Sequence, residues 1–143
     1  MKEVVKFKDC FVCGDQNRNG LQARFFVQED GSVATEYTAD ERFIGYAGVL
    51  HGGILASLLD EVMIKAVLKD DILAVTANME IKFKKPILVG QTIKLIGRIT
   101  AHKGRIYKTE GTARVGEVEV GSAVGTYVEA KDELATILEN SFE

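Results

Sequence analysis

One stretch of this chain holds residue types whose spacing could do chemistry. His51-Gly52-Gly53 opens it, and Asp60-Glu61 follows nine and ten residues after the histidine. Two successive glycines mark a point where the backbone turns sharply or comes close to another group. If a helix starts there, its first amides lack internal partners and carry the positive end of the helix dipole. Open N–H groups of that kind can hold the oxyanion formed when a carbonyl is attacked, while a carboxylate activates the attacking water. Glu61 has a partner one turn on, Lys65, with which it would pair in solvent. Asp60 has none, since its helical neighbours are Ala56, Ser57, Met63 and Ile64. A carboxylate among apolar and small groups costs free energy unless it is solvated, paired or used. The same residues also fit a glycine-lined loop packed on a sheet, with Asp60 bonded to a neighbouring backbone amide.

A helix must position these groups, and the pattern supplies one. Leu50, Ile54, Leu58 and Val62 recur at every fourth residue, with Leu55, Leu59 and Met63 beside them. Two adjacent apolar rows make a surface wider than an ordinary helix stripe, so most of the girth is expected to be buried. The helix is expected to end near Lys69-Asp70-Asp71. Upstream, residues 21–27 read as a strand, 28–31 as a turn and 32–37 as the returning strand. The connection over 39–46 carries Phe43, Ile44 and Tyr46, which can either wall a pocket or fill space beneath the helix. Downstream, residues 72–83, 91–101, 106–115 and 118–128 have strand character, and Pro86, the only proline, ends the first of these runs. Gly111, Ala113, Gly121, Ala123 and Gly125 would let something pack closely on that sheet. Residues 131–142 can close the chain as a short helix. One helix cannot cover both faces of six strands, so an α+β fold follows in which the sheet curls round the helix, pairs with another subunit, or both.

With 143 residues, the chain is expected to be one domain, 1–143, with a loop lead-in over 1–20 and a terminal helix over 131–143. Apolar residues make up 46% and charged residues 27%, an ordinary globular balance. A net charge of −3 without a dense basic block argues against nucleic acid. No apolar run approaches a membrane span. The N-terminus mixes charges of both signs, unlike a signal peptide, so a cytoplasmic location is expected. Cys10 and Cys13 form a C-x-x-C, readable as a structural loop, a redox pair or half of a zinc site. A structural zinc site usually takes four protein ligands, and no second such pair exists.

The stretch GVLHGGILASLLDE, residues 48–61, resembles the His-Gly-Gly helix of hotdog-fold acyl-CoA thioesterases, the PaaI-like branch in particular. In that branch an acidic residue stands nine after the histidine, as Asp60 does after His51. Cys10-Phe11-Val12-Cys13-Gly14, with Asn17, Gly20 and Leu21, resembles the N-terminal signature of a subset of these enzymes. The resemblance implies a curved sheet wrapped round the central helix, in a homodimer or a dimer of dimers. It implies hydrolysis of an acyl-CoA thioester to free acid and CoA, with no cofactor or metal. A leaving thiol with a pKa of about 8.5, if it is like cysteine, departs without a strong acid. The Gly52 amide is then the oxyanion donor, with Gly53 beside it in the substrate site. Asp60 is either base for water or nucleophile giving a mixed anhydride. Thr76 matches a hydroxyl residue of the facing subunit that helps to place the water, and His51 shapes the turn by hydrogen bonding. Lys84-Lys85, and Lys103-Gly104-Arg105, which resembles the family's Gly-Arg loop, are the expected partners of the CoA phosphates. Tyr46 is the substrate-site candidate among the residues that either wall the pocket or fill space beneath the helix. Some relatives carry an Asn six residues before the histidine, where this chain has Gly45. Two other readings use the same scaffold: a non-catalytic acyl-CoA or ligand binder, and a dehydratase. The latter needs a histidine paired with the carboxylate, and residues 43–47 contain none.

Overall fold

The two apolar rows of the central helix decide the architecture. In the computed structural model, which describes residues 1–142, helix α1 spans Gly52–Leu68. It buries Leu55, Leu58, Leu59, Val62, Met63, Ala66 and Val67. A helix apolar round most of its girth needs cover on several sides. Six strands supply it: β1 (Phe26–Val27), β2 (Val33–Thr38), β3 (Ala74–Phe83), β4 (Thr92–Lys103), β5 (Ile106–Val115) and β6 (Val118–Glu129). They form one antiparallel sheet in the order β1-β2-β4-β5-β6-β3, and α1 contacts β2 through β6. This is the α+β hotdog arrangement, a curved sheet wrapped round one long helix.

Small residues make that wrapping possible. Gly97 of β4 pairs with Gly111 of β5, which pairs with Ala123 of β6, giving a low row across the concave face. At Gly97 a Cβ would stand 2.4 Å from the Val62 carbonyl oxygen, so strand and helix backbones meet with no room for a side chain. At Gly125 a Cβ would lie 2.7 Å from the Tyr127 ring, and its absence lets that ring reach the helix.

The expected strand over 21–27 shrinks to Phe26–Val27. The N–H groups of Leu21 and Ala23 donate to the carbonyls of Phe11 and Val12, so the lead-in loop occupies backbone groups that a strand would need. Gln22 also adopts φ 52°, which interrupts an extended run. After α1, the strand begins at Ala74 rather than Ile72 and carries a bulge between Thr76 and Asn78. Such a bulge re-aims the side chains beside it. Helix α2 covers Asp132–Glu139. Phe142 beyond it stacks on Phe7 with ring centroids 4.8 Å apart, tying the tail to the N-terminal segment. Glu143, the last residue of the expected terminal helix, lies outside the described residues.

Candidate active site

The start of α1 is built by the three residues that open it. His51 is the N-cap, and its Nδ1 accepts the Gly53 N–H at 2.8 Å. An imidazole that accepts through Nδ1 carries its proton on Nε2 when neutral. A Cβ at Gly53 would stand 3.0 Å from that Nδ1, so the glycine is what lets the ring sit over the amide. The Gly52 N–H, by contrast, meets no acceptor among the described residues. A Cβ at Gly52 would meet only the exposed Phe83 ring, at 3.5 Å. The helix therefore starts with one capped amide and one bare amide, and the bare one faces the rim of β3.

Asp60 lies in the middle of α1, half-buried, and the sheet supplies what its own helix does not. Tyr127 of β6 donates its hydroxyl to Asp60 Oδ1 at 2.7 Å and to the Asp60 carbonyl at 3.1 Å. Thr76 Oγ1 donates to the same Oδ1 at 2.9 Å. Burial first, and then the Asp60 charge, push the Tyr127 phenol up, so it remains protonated and a donor. Oδ2 accepts from no described group and is not a buried orphan, which leaves it open to the neighbouring cavity. Asp60 forms no ion pair among the described residues. One oxygen is thus pinned by two hydroxyls and the other is free to meet a solvent molecule. The backbone-amide partner that sequence left open for Asp60 is not used.

Two expectations need correction. Sequence placed the bare amides and Asp60 on one cleft, but in a single chain they open on different cavities. Gly52 borders a cavity of about 630 Å³ with Gly45, Tyr46, Phe83 and Lys85, while Asp60 borders one of about 760 Å³ with Cys10, Ile64 and Thr76. Eight residues at 1.5 Å each put the two groups about 12 Å apart along the helix, too far to share a carbonyl. The second correction concerns Glu61. Its pairing with Lys65 holds at 3.6 Å, but not in solvent: the Lys65 side chain is 1% exposed and that of Glu61 12%. The N-terminal loop covers them, and Lys65 Nζ also bonds the Val5 carbonyl at 2.5 Å and Cys13 Sγ at 3.4 Å.

The remaining residues fall at the two ends of β3. Lys84 and Lys85 follow its end, beside Gly52, with Lys84 paired to Glu119. Lys103 and Arg105 lie on the β4–β5 turn, and Arg105 donates to the Glu129 carbonyl at 2.7 Å. Thr76 pairs with Tyr127 in the register of β3 and β6, and Tyr127 with Tyr107 on β5, so that turn belongs to the Asp60 end. Tyr46 is 85% exposed at the rim of the Gly52 cavity. At Gly45, where some relatives carry Asn, a Cβ would press on the His51 ring at 3.3 Å. Sequence reasoning missed Tyr127. The signal was its register: it continues the helix-facing row Gly121, Ala123, Gly125, and a buried tyrosine hydroxyl needs a partner. Thr76, expected to help place the water, is in contact with Asp60 of its own chain.

The thioesterase superfamily model matches residues 47–122, more than half of the chain, and the protein belongs to that superfamily. No curated sequence matches it significantly. A solved thioesterase superfamily protein is 26% identical over 85% of this chain with a TM-score of 0.80, and the chain spans 61% of that protein's length. The Escherichia coli PaaI protein of the phenylacetic acid degradation operon is 18% identical, with a TM-score of 0.72 and 78% and 81% of the two chains covered. A Streptococcus pneumoniae hypothetical thioesterase, solved with coenzyme A, is 19% identical, with a TM-score of 0.71 and 77% and 90% covered.

Proposed function

We propose that the protein is an acyl-CoA thioesterase whose site is assembled from two copies of the chain. Asp60 Oδ2 activates water, or attacks directly, while the bare Gly52 amide of the other copy holds the oxyanion. The observation that carries this reading is the course of β3. Its start, Thr76, touches Asp60, its end, Phe83, lies beside Gly52, and its outer edge is unpaired at the margin of the sheet. An exposed ten-residue edge invites pairing with its like. Antiparallel pairing about a two-fold axis sets the start of one β3 opposite the end of the other. That superposes the Asp60 end of one copy on the Gly52 end of its partner and closes the 12 Å gap (about eight residues of helix). It also brings Lys84 and Lys85 of one copy toward the turn carrying Lys103 and Arg105 of the other, which suits the phosphates of CoA.

Subunit mixing tests this. Gly52→Pro removes the donor at a position where a helix tolerates proline, and His51, at φ −60° and ψ 133°, already has a conformation that suits the residue before it. Alone, Gly52→Pro should lower kcat by about 10² to 10³ on the best substrate of an acyl-CoA panel. Mixed with Asp60→Asn chains, it should regain up to about half of wild-type activity in the purified mixed dimer, and about a quarter in a randomly paired population, because one of the two sites in a mixed dimer is then intact. No recovery in a confirmed mixed dimer would place both groups in one chain and end the two-copy arrangement.

A further inference from the structure

The N-terminal loop carries a thiol pair for which thioester hydrolysis has no use. Cys10 and Cys13 occupy a turn closed by the Gly14 N–H on the Cys10 carbonyl at 2.9 Å. Position 14 must be glycine there, since a Cβ would lie 2.5 Å from the Lys8 carbonyl oxygen and 2.6 Å from the Cys10 nitrogen. Inside the turn, Cys10 Sγ accepts the N–H groups of Val12 at 3.3 Å and Cys13 at 3.5 Å. Amide donors and a neighbouring cation are the surroundings that favour a thiolate. Cys13 is fully buried, and Lys65 Nζ stands 3.4 Å from its sulfur. Cys10 is half-buried and borders the same cavity as Asp60. Glu61 completes the cluster, its two oxygens 3.9 and 4.0 Å from Cys10 Sγ. Ligand atoms of Cys10, Cys13 and Glu61 all lie within 4.8 Å of one another.

We propose that Cys10 and Cys13 are a dithiol redox site at which Cys10 reduces a hydroperoxide and Cys13 resolves the product to an intramolecular disulfide. The division of labour follows from the geometry. Cys10 is the reachable sulfur, and the Cys13 thiol, two backbone amides and Lys65 pull it down to about 5 against its burial. Burial, and then the charge on Cys10, push Glu61 up to about 7, so a proton is kept beside the attacking sulfur. The Cys10 thiolate attacks the outer peroxide oxygen. The O–O bond breaks toward the second oxygen, which leaves as alcohol or water with the Glu61 proton. Cys10 is then a neutral sulfenic acid, and Lys65 is left facing Cys13. Cys13 attacks the Cys10 sulfur, and the S–O bond breaks, releasing water with the Cys13 proton. One hydroperoxide is reduced and two thiols are oxidised, and a dithiol reductant returns the pair to its starting state.

A metal centre is the rival use of these ligands, and Lys65 argues against it. Its ammonium already stands 3.4 Å from Cys13 Sγ and 3.6 Å from Glu61, where a divalent ion would meet like charge at contact.

The test uses the full, reduced chain with hydrogen peroxide as probe, read by intact mass and thiol titration. The expected result is loss of two hydrogen atoms and both thiols at one equivalent of peroxide, with full recovery on dithiothreitol. Cys13→Ser should stop at a Cys10 sulfenic acid that a cyclic diketone captures, with Cys13→Ala as second variant should the serine fail to fold. Cys10→Ser should leave Cys13 unreacted. Lys65→Gln, checked for fold by circular dichroism, should slow the peroxide reaction about tenfold. Survival of both thiols in excess peroxide, a disulfide formed between chains, or zinc bound at one per chain that masks the thiols until chelation would each overturn the proposal.

Discussion

Asp60 and Glu61 are consecutive carboxylates on one helix, yet their surroundings have almost nothing in common. A step of about 100° round the helix turns Asp60 toward β6 and the start of β3, where two hydroxyls grip one oxygen and the other stays open. The same step turns Glu61 under the N-terminal loop, against two thiols and a buried ammonium. The first carboxylate has neutral donors and a cavity, so its charge remains available to a reacting partner. The second has little water and the Cys10 sulfur about it, which favour its protonated form and leave no free charge for a substrate. Which carboxylate can do work on a substrate is thus set by what covers each side of the helix.

The largest expected contrast is in turnover. Asp60→Asn should lower kcat for acyl-CoA hydrolysis by about 10³, while Glu61→Gln should stay within about threefold of wild type. Equal losses in the two variants would erase the distinction. Next is stability, where the asymmetry reverses. Lys65→Met removes the cation that Glu61, Cys13 and the Val5 carbonyl share, and should cost about 3 kcal/mol in denaturant unfolding. Asp60→Asn should cost well under half of that, as it keeps an acceptor for Tyr127 and Thr76. The third contrast is in pH dependence. Glu61 is raised from 4.5 to about 7 in the fold, mainly by burial, with Cys10 and Asp60 adding to the rise and Lys65 and Cys13 opposing it. Folding therefore favours its protonated form. That contribution is full below 4.5 and is lost as pH rises through about 7. Glu61→Gln should remove a drift of up to about 3 kcal/mol across this window, measured as the difference in unfolding free energy from wild type. A flat difference would mean that Lys65 keeps Glu61 ionised throughout.

Much of this architecture was legible in the sequence. Two apolar rows gave the buried helix, alternation gave the four long strands, and the spacing from His51 to Asp60 led to the carboxylate that Tyr127 and Thr76 hold. What escaped the sequence has a common cause: helical spacing names neighbours on the same element and is silent about cover from another. The spacing of Glu61 and Lys65 predicts their pairing but not its burial, because nothing in it says that residues 5–13 fold over them. The complementary types of Gly52 and Asp60 do not show that the rise of the helix keeps them on separate cavities within one chain. The first strand was overread for a similar reason, since Leu21 and Ala23 spend their amides on the lead-in loop.

The contact between Gly97 and the Val62 carbonyl carries a consequence for how such a protein can change. Position 97 lies on a strand that gives neither carboxylate a hydrogen bond, yet it bears on the helix backbone two residues from Asp60. Even a methyl there would act as a wedge, lifting the helix by about an ångström to restore ordinary contact, and a displacement of that size at a reacting group is enough to cost about a hundredfold in rate. Drift at this hidden site would therefore register first as lost activity in a chain that still folds.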